Sequence, residues 1–380
     1  MSDSSTHSPP CPPNARILFR LPNWLGDVCM ALPVVTAIQK KYPQAQFAFL
    51  AQPAYLDLLE KLGVEGEKLP LPAKNWRYFF HFLMQRRRFD AQILFTNSER
   101  GDLEAWLMRS RQRYGIARPN KGRKLLTQRY TLSGDFDEES YHQTQLWGDF
   151  TASFGWHNGL DLTAFQPVED NASGNASSNV ADSTADSVAD SVADKAAGAK
   201  IGLICGSANT PEKRWPAEYW QALIDELLAR EVAQIVLLGT ADDAAVCEHI
   251  AANAGDARVE NRAGKTQLPQ LVDTMRGLDC VIGNDTGGLH LANAVGVAVI
   301  GLYGHTNPVR CRPIFDAPLT ILRPEPPADG SPAGMADIAV AQVVTAVETL
   351  LPNDSRAKKI SPQGASSQTV QSLRQDDATP

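Results

Sequence analysis

The stretch Gly283-Asn284-Asp285-Thr286-Gly287-Gly288-Leu289-His290 lies between an apolar run and a helical pattern. Val281 and Ile282 end the apolar, strand-like run, and residues Leu289 to Val295 have the pattern of a helix. The two glycines let backbone N–H groups approach a ligand, and a helix start presents unpaired N–H groups and a positive dipole end to an anion. The stretch predicts an α/β fold with a phosphate site, while Gly-rich turns of this kind also serve simply to turn the chain.

Short β-type runs alternate with helical patterns on both sides of this stretch, which is typical of parallel sheets wrapped by helices. The predicted strands are Arg16 to Leu21, Gln46 to Ala51, Ala91 to Phe95, Lys200 to Cys205, Gln234 to Leu238, Cys280 to Ile282 and Ala298 to Tyr303. The predicted helices include Val28 to Lys41, Ala217 to Arg230 and Leu268 to Arg276. This pattern predicts two doubly wound domains with a cleft between them, with ligands beyond the carboxyl ends of the strands.

A low-complexity segment divides the two halves of the chain. Residues 169–199 are rich in Asn, Ala, Ser and Asp, and Ala-Asp-Ser recurs at Ala181, Ala185 and Ala189. Such a composition cannot bury enough apolar surface to fold alone, so the segment is predicted to be a disordered linker. The predicted organisation is a disordered N-terminus (1–14), a first domain (15–168), the linker (169–199), a second domain (200–351) and a disordered tail (352–380).

Composition limits the classes of protein that the chain can belong to. Its 380 residues, 43% hydrophobic, suffice for two globular domains, and a formal net charge of −7 argues against a nucleic-acid binder. Between Trp76 and Tyr130, however, 13 Lys or Arg residues accompany 4 Asp or Glu residues. That local excess indicates either a solvated face or a surface facing a polyanionic substrate or an acidic membrane.

The cysteines and the N-terminus predict a cytoplasmic protein. Six cysteines are scattered without a CxxC pair or a metal-ligand spacing, as expected of reduced and mostly buried thiols. The polar, Pro-rich start Met1 to Asn14 lacks the basic end and apolar core of a signal peptide. No apolar stretch reaches the roughly 18 residues of a membrane span. We therefore expect a protein that is neither exported by this route nor membrane-spanning.

Asp27 ends the loop that leaves the first predicted strand, Pro22-Asn23-Trp24-Leu25-Gly26-Asp27. At the start of a helix, an aspartate often serves as the N-cap. A carboxylate held there at the cleft can also accept a proton from a substrate hydroxyl, and the two roles are compatible.

The corresponding loop of the second domain runs from Cys205 to Pro216 and contains Ser207, Asn209 and Lys213. It combines small residues, hydroxyl groups and the cations Lys213 and Arg214, and a lysine is a compact charge for a phosphate. The alternative is a solvated pair of cations. Because a second phosphate-type loop, around Asp285, belongs to the same domain, the pairing favours a ligand.

The remaining candidates are weaker. Asp242 and Asp243 follow a strand and either hydrogen-bond a ribose or cap a helix, and His290 serves either packing or the ligand. Asp135-Phe136-Asp137 could hold a divalent metal, but its acidic, turn-like surroundings favour a solvated loop. The sequence contains neither a GxGxxG after a strand nor a complete Walker-type Gly-x-x-x-x-Gly-Lys-Ser/Thr run, and it lacks a Gly-x-Ser-x-Gly turn. We identify no metal site.

Three of these motifs together resemble the bacterial ADP-heptose:lipopolysaccharide heptosyltransferases, over roughly residues 15–351. They are residues 22–33 (Pro-Asn-Trp-Leu-Gly-Asp-Val-Cys-Met-Ala-Leu-Pro), Lys213-Arg214-Trp215-Pro216, and residues 284–292 (Asn-Asp-Thr-Gly-Gly-Leu-His-Leu-Ala). The Pro-Asn-Trp-Leu-Gly-Asp start is more similar to the heptosyltransferase II branch than to the heptosyltransferase I branch. The resemblance implies the two-domain GT-B fold and a metal-independent, inverting transfer at the cytoplasmic face of the inner membrane.

The resemblance also implies roles for individual residues. Asp27 would be the general base toward an acceptor heptose hydroxyl, Lys213 would contact the donor diphosphate, and Asp285 the donor sugar. Backbone N–H groups of Thr286, Gly287 and Gly288 would receive the phosphates. The donor site would further include Ser207, Asn209, Asp242, Asp243, Thr266 and His290, with a ribose contact from Asp242 or Asp243 and an adenine contact from Thr266.

The implied partners are ADP-heptose, which is a substrate rather than a cofactor, a lipid A–core acceptor carrying heptose and Kdo, and the inner-membrane surface; no nucleic acid is implied. Two departures from the heptosyltransferase II pattern bear on donor and acceptor identity: a short Gly206 to Glu212 loop, and Thr286-Gly287-Gly288 where a Ser-Gly-Leu-type run is common. The alternatives are a related GT-B transferase with another sugar donor or a protein acceptor, and a non-catalytic nucleotide-sugar-binding protein. A Rossmann oxidoreductase is a more distant alternative.

Overall fold

A computed structural model describes residues 10–85, 87–119, 121–167, 198–207, 210–324 and 333–351. The predicted C-terminal tail, residues 169–197 of the predicted linker and most of the predicted N-terminal segment lie outside the described residues, as does Asn209. The described chain begins with buried structure, because Cys11 is 8% exposed and the Ala15 N–H donates to the Pro12 carbonyl.

The first half forms a six-stranded sheet in the order β3-β2-β1-β4-β5-β6, and every neighbouring pair is parallel. Its strands are β1 (Arg16–Arg20), β2 (Gln46–Ala51), β3 (Glu67–Pro70), β4 (Ala91–Leu94), β5 (Gln112–Ala117) and β6 (Gln128–Thr131). Its helices are α1 (Leu25–Lys41), α2 (Pro53–Lys61), α3 (Tyr78–Met84), α4 (Glu99–Leu107) and α5 (Gln143–Ser153).

The second half repeats this strand order from the opposite edge, as β12-β11-β10-β7-β8-β9, again parallel throughout. Its strands are β7 (Lys200–Ile204), β8 (Gln234–Leu238), β9 (Val259–Asn261), β10 (Cys280–Asn284), β11 (Ala298–Leu302) and β12 (Leu319–Leu322). Its helices are α6 (Ala217–Ala229), α7 (Ala244–Ala254), α8 (Leu268–Arg276), α9 (Gly287–Ala294), α10 (Pro308–Cys311) and α11 (Val340–Leu350).

The central strands are apolar in their interiors because helices cover both faces of each sheet. Ile17, Leu18 and Phe19 of β1 have no exposed surface, and β10 is buried from its first residue to its last. In both sheets the strand order reverses beside the first strand, between β1 and β4 and between β7 and β10. Loops at the carboxyl ends of these strands are where such sheets bind ligands.

The α/β prediction and the two doubly wound sheets are confirmed, and the differences concern element boundaries and strands that were not identified. Strand β10 continues through Gly283 and Asn284, so the prediction that it ends at Ile282 was wrong. Helix α9 begins at Gly287 rather than Leu289, and α1 begins at Leu25 rather than Val28. Sequence analysis identified none of β3, β5, β6, β9 and β12. Such strands are hard to recognise when they are short and polar, as in Gln-Arg-Tyr-Thr of β6.

The two halves contact one another directly. Helix α1 packs on α9, and their apolar side chains belong to one continuous core cluster. On one side, the segment before the predicted linker lies on the second half, since the Phe165 N–H donates to the Ala294 carbonyl and the Ala164 N–H to Asp316. On another, Lys61 of α2 pairs with Asp273 of α8 at 2.6 Å. The carboxyl-end loops of β1 and β10 are therefore held together.

Candidate functional site

Two helix N-termini meet at the centre of the candidate site. A Cβ atom added at Gly287 would lie 2.7 Å from Leu25 Cβ and 2.9 Å from the Gly26 nitrogen. One added at Gly26 would lie 3.1 Å from His290 Cδ2. The starts of α1 and α9 can approach this closely only because both positions are glycine. Their positive dipole ends and free N–H groups converge at one place, which is an arrangement suited to anions.

Asp27 lies in the first turn of α1, where its carboxyl group is partly buried. The helix is capped at Trp24 without a side-chain hydrogen bond, so the interpretation of Asp27 as the N-cap was wrong. Burial raises the pKa of Asp27 above the ordinary aspartate value, Arg310 and Lys213 lower it, and Asp285 raises it further. The net upward shift of the pKa makes this carboxylate a better proton acceptor than an exposed one.

Lys213 and Asp285 form an ion pair across the carboxyl ends of β7 and β10. Lys213 Nζ lies 2.7 Å from Asp285 Oδ2, with 27% of the lysine side chain exposed and 7% of the aspartate side chain. Lys213 ends the short 3-10 turn Pro211–Lys213, and Asp285 directly follows β10. The structure thus brings together two predicted site residues, and both act electrostatically on Asp27.

Asn284 fastens the two loops to each other. Its side-chain amide donates to the Cys205 and Gly206 carbonyls at 3.0 and 3.2 Å, and its carbonyl oxygen accepts the Trp215 N–H at 3.1 Å. These buried hydrogen bonds fix the loop that carries Lys213 against the strand that ends at Asp285. Sequence analysis gave Asn284 no role, because its strand was predicted to end two residues earlier.

The Arg214 side chain stabilises the backbone of the same loop. Its guanidinium donates from Nη2 and Nε to the Ser207 carbonyl at 3.0 and 3.3 Å, and Ser207 is 3% exposed. Of the two cations in this loop, Lys213 pairs with the Asp285 carboxylate, and Arg214 donates hydrogen bonds to the Ser207 backbone carbonyl.

An ion-pair network that sequence analysis missed joins the two halves beside Asp27. Arg310, in α10, lies 2.5 Å from Glu139 and 3.8 Å from Glu138, and Arg118 Nη2 donates to Glu138 at 2.6 Å. The acidic segment after Gly134 therefore supplies partners for arginines. Its Asp135 and Asp137 are exposed, and Asp137 accepts the Glu139 N–H, in agreement with the solvated-loop interpretation. Because Arg310 follows a predicted strand, the strand-end rule could have identified it.

Three buried polar atoms around Asp285 lack a well-formed hydrogen bond among the described residues. They are Thr286 Oγ1, His290 Nδ1 and the Tyr303 hydroxyl; the His290 ring interacts with the Cys311 backbone, and the Tyr303 hydroxyl interacts with Asp285. Burial lowers the pKa of His290 to about 4, so its ring is neutral near pH 7, and burial raises the pKa of Cys311 to about 12. Buried polar groups are normally satisfied, so unpaired ones at the start of α9 are consistent with a polar ligand that binds there.

The other predicted donor residues lie in separate surroundings. Asp243 is 5% exposed and accepts from the Thr240 N–H and hydroxyl at 2.9 and 2.7 Å, which is the capping role, while Asp242 is exposed. A Cβ at Gly206 would collide with Asp243, so this carboxylate packs under the Lys213 loop. Thr266 lines an open cavity of about 760 Å³ between α7, β9 and α8, whose lining does not include Asp27, Lys213 or Asp285.

The cysteine prediction agrees with the structure: all six cysteines are free thiols, and five of them are buried. Within the described ranges, no three or more His, Cys, Asp or Glu side chains form a group that could hold a metal ion. In the same ranges, no helix combines the length and apolar content needed to cross a bilayer.

Comparison with known proteins identifies the relatives of this arrangement. The sequence profile of glycosyltransferase family 9 (heptosyltransferase) matches residues 83–328. Lipopolysaccharide heptosyltransferase 2 from Escherichia coli strain K12 is 25% identical over 326 residues, covering 77% of this chain and 84% of that protein.

Two solved structures share the fold. The E. coli ADP-heptose lipopolysaccharide heptosyltransferase II has a TM-score of 0.68 and 22% identity, covering 88% of this chain and 98% of that one. The E. coli heptosyltransferase WaaC with ADP has a TM-score of 0.67 and 18% identity, covering 88% and 99%. With the two parallel sheets, these likenesses confirm the predicted GT-B fold, in which two Rossmann-like domains face a cleft.

Proposed function

Because this chain belongs to glycosyltransferase family 9 (heptosyltransferase) and is therefore a glycosyltransferase, we propose that it moves heptose from ADP-heptose to the heptose/Kdo–lipid A inner core of lipopolysaccharide. The observation that carries the proposal is the placement of Asp27. Its carboxyl group, with a raised pKa, lies beside the Lys213–Asp285 ion pair where two helix N-termini meet. The names of the relatives support this donor and acceptor.

The proposed reaction is a single displacement. The acceptor hydroxyl oxygen attacks the anomeric carbon while the bond from that carbon to the diphosphate breaks and ADP leaves. Asp27 takes the proton of the attacking hydroxyl, as a general base. Because the oxygen enters opposite the leaving group, the anomeric configuration inverts. This scheme requires no metal ion, and metal independence is part of the proposal.

Charge grows on the diphosphate as the bond breaks, and the proposed site provides for it. Lys213 and the N–H groups of Thr286, Gly287 and Gly288 would stabilise the leaving group. Lys213 is paired with Asp285. We infer that the arriving diphosphate takes over part of this contact, which would free Asp285 to accept hydroxyl groups of the donor sugar.

The remaining roles extend the same site. Ser207, Asn209, Asp242, Asp243, Thr266 and His290 are proposed donor-site residues, with buried Asp243 supporting the Lys213 loop and exposed Asp242 facing the ribose. We propose that the protein works in the cytoplasm at the inner face of the inner membrane, where a lipid-linked acceptor lies. The domain boundaries at 15–168 and 200–351 also remain proposals.

Asp27→Asn tests the proposal. We expect the variant to bind ADP-heptose with unchanged affinity and to lose at least about 10²-fold in kcat, because a carboxamide cannot take the acceptor proton. The assay is transfer from ADP-heptose to a lipid A–core acceptor carrying one heptose, run with and without EDTA, and with Asp137→Asn as an exposed control.

Retained turnover in Asp27→Asn would remove Asp27 from the mechanism, and loss of turnover in EDTA would remove metal independence. Another sugar donor or a protein acceptor is the alternative if the unaltered protein binds ADP but transfers no heptose to lipid. Absence of transfer with every nucleotide sugar and acceptor would instead indicate a non-catalytic binding protein.

A further inference from the structure

Helix α3 exposes an apolar face that no other described part of the chain covers. Nine large hydrophobic side chains are exposed in the described ranges, and five of them lie within residues 76–84. Scattered apolar residues are normal on a protein surface, but a cluster of this kind marks an interaction site. The α3 surface consists of Trp76, Phe79, Phe80, Leu83 and Met84, which are 85%, 38%, 58%, 44% and 59% exposed.

The exposure follows from the spacing of these residues on the helix. Phe80 and Met84 are four residues apart on α3 and therefore share one side of the helix, while Trp76 is exposed in the turn just before the helix begins at Tyr78. Tyr78 and Phe82 face the opposite way and are buried at 6% and 0% exposure, in a core cluster with residues of β1, β2 and β3. Helix α3 is thus fixed to the first sheet by one apolar face and presents another to the surroundings.

The segment around the α3 surface is basic. Residues 74–88 contain five Lys or Arg and no Asp or Glu. Lys74 and Arg77 are exposed just before α3, and the Arg77 guanidinium lies 4.6 Å from the Trp76 ring centre. Arg88 is exposed four residues after the helix ends at Met84. Arg87, which is also exposed, pairs with Glu67 at 2.6 Å. A ligand for this surface must therefore be apolar in its interior and anionic at its edge.

A bilayer with anionic lipids has this chemistry. Tryptophan and other aromatic side chains favour the level of the headgroups, and lysine and arginine are attracted to the negative surface potential. Short helices with apolar residues on one side and flanking cations lie in this interface without crossing it. Protein interfaces are also rich in aromatic residues, Met and Arg and poor in Asp and Glu, so a second copy of the chain is the competing occupant that the experiment distinguishes.

The α3 surface is rigidly connected to the loop that precedes Asp27. The Tyr78 hydroxyl donates to Glu104 Oε1 at 2.5 Å, Arg20 Nε donates to Glu104 Oε2 at 2.8 Å, and Arg20 Nη2 donates to Asn23 Oδ1 at 3.2 Å. Glu104 and Arg20 are 0% and 3% exposed. This buried chain of hydrogen bonds links the outward-facing helix to the acceptor side of the cleft.

We propose that the α3 surface docks the protein on the anionic headgroup layer of a bilayer, with Trp76, Phe80 and Met84 inserted and Lys74, Arg77 and Arg88 against the lipid phosphates. This docking proposal rests on the proposed function, because an enzyme that acts on a lipid-linked acceptor works at the bilayer surface. Docking through α3 holds the Asp27 loop at a fixed distance from the bilayer.

The experiment compares three variants of the full chain. Trp76→Glu/Phe80→Glu removes the apolar contact, Lys74→Glu/Arg77→Glu reverses the charge, and Val246→Glu changes an exposed apolar residue of α7 as a control. Co-sedimentation is measured with vesicles of phosphatidylcholine alone and with phosphatidylglycerol added. Transfer is measured to an acceptor in vesicles and to the same core oligosaccharide released from its lipid.

We expect both α3 double variants to lose at least about 10-fold in binding to the anionic vesicles, since each cation near such a surface contributes about 5-fold. They should also lose transfer to the vesicle acceptor while keeping transfer to the soluble oligosaccharide. Val246→Glu should match the unaltered protein in all three assays.

Unchanged vesicle binding in both double variants would overturn the docking proposal. So would a sedimentation result in which Trp76→Glu/Phe80→Glu dissociates a dimer without affecting vesicle binding, because the surface would then cover a second copy of the chain. Failure of the proposed function looks different: the unaltered protein would bind anionic vesicles through α3 yet transfer no heptose to either acceptor.

Discussion

Asp27 follows the first strand, and its surroundings set the pKa of its carboxyl group. Its place after the first strand was sufficient to select it, since ligands of such sheets lie at strand ends. Its electrostatic surroundings were not visible in the sequence, because Arg310 and the Glu138–Glu139 segment come from distant parts of the chain. The raised pKa of Asp27 is thus a property of the folded site, in which burial outweighs two neighbouring cations.

Removing Arg310 is expected to move the acid limb of the pH profile. As the proposed general base, Asp27 must be deprotonated, so kcat/KM is expected to fall as the pH drops through the pKa of Asp27. Arg310 lowers that pKa, and Arg310→Met should therefore shift the acid limb to higher pH, while Arg310→Lys keeps the charge and the original limb. The measurement is kcat/KM for the soluble acceptor as a function of pH; superimposable profiles for the three proteins would contradict it.

At the scale of elements, the contact between α1 and α9 depends on Gly287. Alanine normally stabilises a helix relative to glycine, but a Cβ at position 287 would lie 2.7 Å from Leu25 Cβ and 2.9 Å from the Gly26 nitrogen. We expect Gly287→Ala to lower the free energy of unfolding by about 1–3 kcal/mol, which is typical of overpacking, and to weaken ADP binding by moving the start of α9.

The matched control is Gly134→Ala, where an added Cβ meets nothing within 4 Å and where the effect on stability should stay within about 0.5 kcal/mol. Urea unfolding and ADP titration of both variants provide the measurement. Equal stability of Gly287→Ala and the unaltered protein would mean that the two helices can separate at negligible cost.

Sequence patterns identified the central strands and several long helices, but they missed the short or polar strands and also strand β5 and helices α5 and α11. Strands β2 and β8 and helix α8 were predicted with their observed ends. The start of α1 was misplaced because Trp24, Leu25 and Gly26 carry none of the usual capping signals. Likewise β10 was cut short at Ile282, since a Gly-Asn pair indicates a turn more often than the end of a buried strand.

On the scale of the whole molecule, one core cluster extends into both halves, and each half also has clusters of its own. Apolar residues of α1 and α9 belong to a single cluster that extends into both halves, and hydrogen bonds from Ala164 and Phe165 reach across to the second half. The doubly wound pairing was predictable from the alternating pattern. The way in which the halves contact one another was not, because it depends on close approach at individual glycines.

This shared core predicts that the two halves unfold together. Leu291→Ala, at a fully buried position of α9, should destabilise the protein by about 2–5 kcal/mol. Hydrogen exchange of β1 and of β10, followed in increasing urea, should report the same lowered opening free energy. If β1 kept the protection it has in the unaltered protein while β10 lost it, the halves would be separate folding units.

The meeting of Gly26, Gly287 and His290 also limits how this sequence can diverge. A methyl group at position 26 would need the space of the histidine ring, and one at position 287 would need the first turn of α1 to withdraw. A replacement at one position therefore becomes acceptable only after a change at another. Positions 26, 287 and 290 are far apart along the chain, but we expect substitutions at one of them to be accompanied by substitutions at the others in related sequences.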